Sequence, residues 1–443
     1  MAIIDLIDYI QNMKIADTHE HLVPEKFRNN IPLDFTYLLG CYIDTNLISA
    51  GMNMDEMQAM RTPGRKMIDK LFDSWESGNK VYPFIERLPE KEFGLDKKWD
   101  LFEPFWNKIR NTGYAKCIKL AVTNLFGIKD ITRDTYVFLS EELEKTRRPG
   151  WYDHVLKDKA NIEFCIVDFG TTDLDCDYFF PSIRFDRFVY IKDRLFLNRL
   201  EFETKLSIHD LDDLVHALRV EMDLSFKKGM KAIKSGLAYQ RSLFYEYTPR
   251  EEAERIFNRL FSHPDATLSL TESKPLQDYM MHQVIKASID LKIPIQFHTG
   301  LLNGNGNFIS NSNPTHLTNL FLKYPEARFD IFHGGYPYHS ELAVLVHNFP
   351  NVYANLCWMP IISPWMSERI LHEWLEIIPI SKIFAFGGDY LIVEGSYGHS
   401  LMAREVVKNV LIHKVETNYF SEKEAFDFAE RILYKNAREF FQI

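Results

Sequence analysis

The segment Ile15-Ala-Asp-Thr-His-Glu-His-Leu22 sets two imidazoles two residues apart, directly after a short apolar run. Side chains on a strand alternate faces, so His19 and His21 project to the same side. That is what one metal ion takes from one strand. A His-x-His pair alone is common and has an ordinary reading as polar residues at a strand end, so the rest of the chain has to supply further ligands. "IPIQFHTG" carries His298, "ARFDIFHGG" carries His333 and "KIFAFGGD" ends at Asp389. Each of these residues lies at the C-terminal edge of an apolar run, whereas a core histidine is expected within one. Imidazole and carboxylate donors suit a divalent metal, zinc first, with manganese or iron as alternatives. Three protein ligands and an open water position would mark a catalytic site.

Elements must bring these residues together. Short apolar, β-branched or aromatic runs recur along the chain: "KIADTH", "IEFCIVDFG", "RFVYI", "MKAIKSG", "IPIQFHTG", "ARFDIFHGG", "NVYANLCW" and "KIFAFGGD". Helical patterns such as "REEAERIFNRLFS", "SKPLQDYMMHQVIKASIDLK" and "THLTNLFLKYP" lie between them. Alternation of this kind predicts parallel βαβ units, and eight strands close an α/β (β/α)8 TIM barrel whose C-terminal strand ends share one face. A doubly wound open sheet is the competing architecture, but no Gly-x-Gly-x-x-Gly turn follows the first strand. Residues 1–443 are expected to form a single barrel, with a helical, aromatic-rich insertion at residues 25–112 after strand 1. "SEKEAFDFAERILYKNAREFF" opens with a capping-box pattern and is expected to be the closing helix.

Composition narrows the function classes. The chain has 443 residues, 46% hydrophobic and 26% charged, with a formal net charge of −10. The acidic balance argues against a nucleic-acid partner. No apolar stretch is long enough to span a bilayer, and the N-terminus reads as an amphipathic helix rather than a signal peptide. Five scattered cysteines without a Cys-x-x-Cys pair predict free thiols and a cytoplasmic location, with Cys165 and Cys357 as buried structural residues. The expected partner is a small-molecule substrate, with neither nucleic acid nor membrane, and a homo-oligomer is compatible with the sequence.

"DTHEH", "HTG", "HGGYP" and "GGD", in this order on strands 1, 5, 6 and 8, resemble the amidohydrolase superfamily. The pattern is most similar to its amidohydrolase-related branch, which includes nodulin and glutamine-synthetase-associated domains and aminocarboxymuconate-semialdehyde decarboxylases. The resemblance implies a distorted barrel with His19, His21, His298 and Asp389 as metal ligands and His333 as a catalytic or secondary-metal histidine. The insertion after strand 1 is similar to that of the uronate isomerases of the same superfamily.

Strand 4 offers Lys231 and Lys234 on opposite faces. Lys234, nearer the C-terminal end, is a candidate for a metal-bridging carboxylated lysine, for a salt bridge, or for a contact to a substrate carboxylate; a mononuclear site is the default. Arg241 is a candidate carboxylate clamp with a surface ion pair as its ordinary role, and Tyr336 and Glu394 flank site residues. "HTGLLNGNGN" reads as a turn-rich site loop after strand 5. The expected reaction is hydrolysis of an amide, lactone or ester carbonyl by metal-activated water, with Asp389 as base and His333 facing the developing oxyanion. Isomerisation of sugar acids and non-oxidative decarboxylation are the alternatives at the same site.

Overall fold

The computed structural model describes residues 3–40, 42–61 and 93–443. Its strands are β1 (Ile15–Glu20), β2 (Ile162–Val167), β3 (Phe179–Arg184), β4 (Ala232–Ser235), β5 (Ile295–Phe297), β6 (Phe329–Ile331), β7 (Val352–Asn355) and β8 (Ile383–Phe384). They form one eight-stranded sheet in sequential order, every neighbouring pair parallel. The chain beyond β8 brings the sheet round to β1. Asp389 N–H donates to His19 O at 2.8 Å, and His21 N–H donates to Tyr390 O at 3.0 Å. The result is a nearly closed α/β barrel. Its strands are covered on both faces, which is why they read as near-continuous apolar runs; β1 is buried at every position.

The helices packed outside follow the sequence pattern. Arg250–Ser262 and Leu270–Leu291 form as expected, the second opened by a Ser269–Glu272 capping box. A second capping box, Ser421 with Glu424, starts Glu422–Glu430, and the chain continues helically to Phe441. No helix among the described residues is long and apolar enough to cross a membrane.

Strand 3 is a correction. The β-branched and aromatic run "RFVYI" is not a strand; Asp186–Val189 is a helical turn. The strand lies just upstream, in "FFPSIR". Its central Pro181 lacks an N–H and so argues against a strand in sequence, yet its carbonyl accepts from Lys231 N–H at 2.8 Å.

Between β1 and β2 the described elements are helical, among them Tyr42–Ser49, Leu95–Ile109, Gly113–Phe126 and Tyr136–Lys145. Most of the expected helical pattern around "RTPGRKMIDKLFDSWES" lies outside the described residues. This region is fastened to the barrel by a fully buried ion pair. Arg28 donates to Glu394, which also accepts from Trp151 Nε1 at 2.9 Å, and Arg28 Nη2 reaches Thr146 Oγ1 at 2.8 Å.

Candidate metal centre

His19 and His21 point inward from the end of β1, and Asp389 reaches them from the turn after β8. Asp389 Oδ1 lies 3.6 Å from His19 Nε2 and 3.1 Å from His21 Nε2. Donors bound to one ion at about 2.1 Å in tetrahedral geometry stand roughly 3.4 Å apart, so the Asp389 oxygen lies at the spacing of a shared cation from each imidazole. Hydrogen bonds behind the rings set the tautomers. His21 Nδ1 donates to Asp168 O at 2.8 Å, and His19 Nδ1 meets Gln296 Oε1 at 3.3 Å. With its hydrogen on Nδ1, His19 keeps a lone pair on Nε2, which is buried with no hydrogen-bond partner. Burial, with the Lys234 charge adding to it, holds His19 well below its ordinary pKa and so keeps it neutral. Burial favours the neutral acid at Asp389, but the His21 hydrogen bond and the neighbouring imidazoles hold it well below the usual carboxylate range. A neutral imidazole with an orphaned lone pair beside a carboxylate fits a divalent metal.

The backbone is bent to present these groups. His333, Trp358 and Asp389, just beyond β6, β7 and β8, have φ of 61°, 66° and 58°. Non-glycine residues seldom adopt this left-handed region, and it concentrates where surrounding structure enforces it. Gly388 precedes Asp389 where no Cβ fits: it would collide with the Glu20 carboxylate and come within 3.0 Å of Asp17.

His298 and His333 face each other at the ends of β5 and β6. His298 Nε2 donates to Leu301 O at 2.9 Å, and His333 Nδ1 donates to Cys357 O at 2.9 Å. The remaining nitrogens, His298 Nδ1 and His333 Nε2, lie 3.1 Å apart. Two lone pairs at that distance repel unless a proton or a cation sits between them. Burial pushes His298 well below its usual pKa and His333 to about 4, which disfavours the proton.

Lys234, one residue before the end of β4, lies among these groups. Its ammonium is buried without a hydrogen-bond partner, 3.8 Å from the centroid of the Phe332 ring, and burial lowers its pKa to about 8. Lys231 is directed away from the site and donates to Gln442 O. Arg241 is occupied elsewhere: it reaches Asp278 Oδ1 at 2.5 Å, Gln277 Oε1 at 2.9 Å and the carbonyls of Ser242 and Phe244. Tyr336 is half-buried beyond β6 and stacks on His339.

Three residues join the site that the sequence reading did not single out. Asp168, just beyond β2, lies 3.9 Å from His19 Nε2 and 3.7 Å from His21 Nδ1. Arg184, ending β3, donates from Nε to Asp168 Oδ2 at 2.7 Å. Tyr42, from the helical region, donates to Asp389 Oδ2 at 2.8 Å and stacks on Trp358. Asp168 obeys the strand-end rule that exposed the histidines and was legible by it; Arg184 was hidden by the misplaced strand 3; Tyr42 carries no local signal.

A family model described as amidohydrolase matches residues 267–443, and one described as glucuronate isomerase matches residues 173–313. Over those spans the chain is similar to the amidohydrolases and, in part, to the glucuronate isomerases. It is 29% identical over 219 residues to the protein fluG of Emericella nidulans. That match takes in 47% of this chain and 25% of fluG, so the chain spans about a quarter of the length of that curated relative. The fold is shared with uronate isomerase from Thermotoga maritima, at TM-score 0.74 and 17% identity over 99% of this chain and 97% of that one. Glucuronate isomerase from Caulobacter crescentus gives TM-score 0.74 and 16% identity over 99% and 93%. Enzymes of the amidohydrolase family use divalent metals, and two groups of buried donors among the described residues, His19–His21–Asp168 and His333–Cys357–Asp389, are candidates to hold one.

Proposed function

We propose that this chain is a metal-dependent hydrolase acting on an amide, lactone or ester of a small carboxylate-bearing substrate. The supporting observation is Asp389 Oδ1 at 3.6 Å from His19 Nε2 and 3.1 Å from His21 Nε2, a proposed three-donor set that leaves coordination positions open. His298 is the proposed further ligand. These residues would hold a divalent ion, zinc first, which would supply Lewis acidity and bring the pKa of water towards ~7. Asp389, kept as a carboxylate and anchored at Oδ2 by Tyr42, accepts the water proton and returns it to the leaving group. His333 is the proposed donor to the developing oxyanion, through a proton taken up at Nε2 with the substrate, since burial leaves that nitrogen unprotonated in the free site. Lys234 and Arg184 place positive charge where a substrate carboxylate docks, and Tyr336 borders the approach. The free thiols Cys117, Cys165, Cys176 and Cys357 support a reducing, cytoplasmic location.

Uronate-type isomerisation is the second reading. It is favoured by the glucuronate isomerase match over residues 173–313, a span that holds both Arg184 and Lys234. Turnover of metal-loaded protein in H₂¹⁸O, across lactones, N-acyl amino acids and hexuronates, separates the two. Hydrolysis places one ¹⁸O in the product carboxylate. Conversion of a hexuronate with no ¹⁸O in its carboxylate, and with solvent deuterium entering at carbon in D₂O, overturns hydrolysis in favour of isomerisation.

A further inference from the structure

Beneath the proposed metal centre lies a buried polar cluster that the reaction itself does not use. Gln296 projects from β5 into the barrel between β1, β3 and β6. Its Nε2 donates to Thr18 O at 3.0 Å and to Asp330 Oδ2 at 3.1 Å. Its Oε1 receives Ser182 Oγ–H at 3.1 Å and faces His19 Nδ1 at 3.3 Å. Asn355 Nδ2 donates to the same Asp330 carboxylate at 3.1 and 3.2 Å. Gln296, Asp330, Ser182, Asn355 and His19 are all fully buried.

The orientation of an amide is usually ambiguous, because its oxygen and nitrogen look alike. Here it is not. The Thr18 carbonyl can only accept, so the amide NH₂ must face it, and the amide oxygen must then face His19. An oxygen at that position can only accept, so His19 carries its hydrogen on Nδ1. Nε2 is left with a lone pair directed at Asp389.

We infer that Gln296 is a positioning residue that sets the metal-binding tautomer of His19, itself held in register by Thr18 and Asp330. The arrangement is a carboxylate–histidine–metal relay with an amide inserted between carboxylate and imidazole. Metal-bound histidines commonly donate their second N–H to a carboxylate or carbonyl, and loss of that partner costs about 10–100-fold in metal affinity. The amide delivers the same directional acceptor without placing a charge against the ring. Asp330 stands one residue further back and polarises the amide through its N–H. Ser182 competes with His19 for the same oxygen, and this gives the inference a consequence of opposite sign.

The inference rests on the metal-dependent reading, but its first test needs no metal. In metal-free protein labelled with ¹⁵N-histidine, the His19 ring, identified by its loss in His19→Ala, should show protonated Nδ1 and unprotonated Nε2. In Gln296→Met, which keeps the volume and removes the acceptor, that preference should be lost and the zinc affinity measured by chelator competition should fall about 10–100-fold. Ser182→Ala should bind zinc as tightly as the parent or more tightly, because it frees the amide oxygen for His19; a merely structural cluster would lose affinity in both variants. A parent His19 protonated at Nε2 overturns the inference, even if Gln296→Met fails to fold. So does a Gln296→Met variant with parental tautomer and zinc affinity. If the parent binds no zinc while His19 shows the expected tautomer, the metal reading fails and the positioning by Gln296 stands.

Discussion

His298 and His333 are neighbours held to backbone carbonyls by different ring nitrogens, and their substitutions test whether metal binding and chemistry separate. His298 has Nδ1 directed at the site with its second nitrogen fixed by Leu301, so His298→Ala should lower metal content. His333→Asn should retain the primary ion and the fold but lose turnover by roughly 10²–10³-fold, the scale for removing one donor to a developing oxyanion. Metal analysis and kinetics of the two variants test this; loss of the ion in His333→Asn with retention in His298→Ala reverses the assignment. Lys234 is the other decisive residue. If it is an ordinary ammonium awaiting a substrate carboxylate, Lys234→Met keeps the metal content while KM for a carboxylate-bearing substrate rises. If it is carboxylated and bridging, metal content falls from about two ions to one or fewer, and bicarbonate improves reconstitution of the parent.

The strand ends carry most of what was legible in the sequence. His19, His21, His298, His333 and Asp389 were visible because polar residues recur where apolar runs stop, and a barrel collects those positions on one face. Arg184 was not visible, because a strand with proline at its centre looks less like a strand than the aromatic turn that follows it. Gln296 and Asp330 lie inside strands, where sequence alone does not separate an inward buried amide from an outward solvated one. Arg241 looked available in sequence, but the helix Leu270–Leu291 brings Gln277 and Asp278 against it. The elements between β1 and β2 are held to the barrel by the Arg28–Glu394 pair, both side chains fully buried. Arg28→Met leaves the Glu394 carboxylate buried without its counter-charge, and stability should drop by about 3–5 kcal/mol in urea unfolding. A loss below about 1 kcal/mol would show that the pair does not fasten this region.

For the molecule as a whole, the proposed ion would be thermodynamically linked to the barrel. The donors converge only when β1 and the turn after β8 are hydrogen-bonded together, so an ion that binds there stabilises the closed barrel. At free metal 100 times Kd the gain is about 2.7 kcal/mol. The Tm should rise with metal concentration in the parent, fall with chelator, and stay insensitive to both in His19→Ala. The central claim is that one ion sits among His19, His21 and Asp389, and the most direct measurement is metal content by mass spectrometry on purified parent, His19→Ala and His21→Ala after zinc loading and removal of free ion. The account predicts about one tightly held ion per parent chain and loss of it in each variant. Full occupancy in both variants, or a folded parent that retains none, contradicts it.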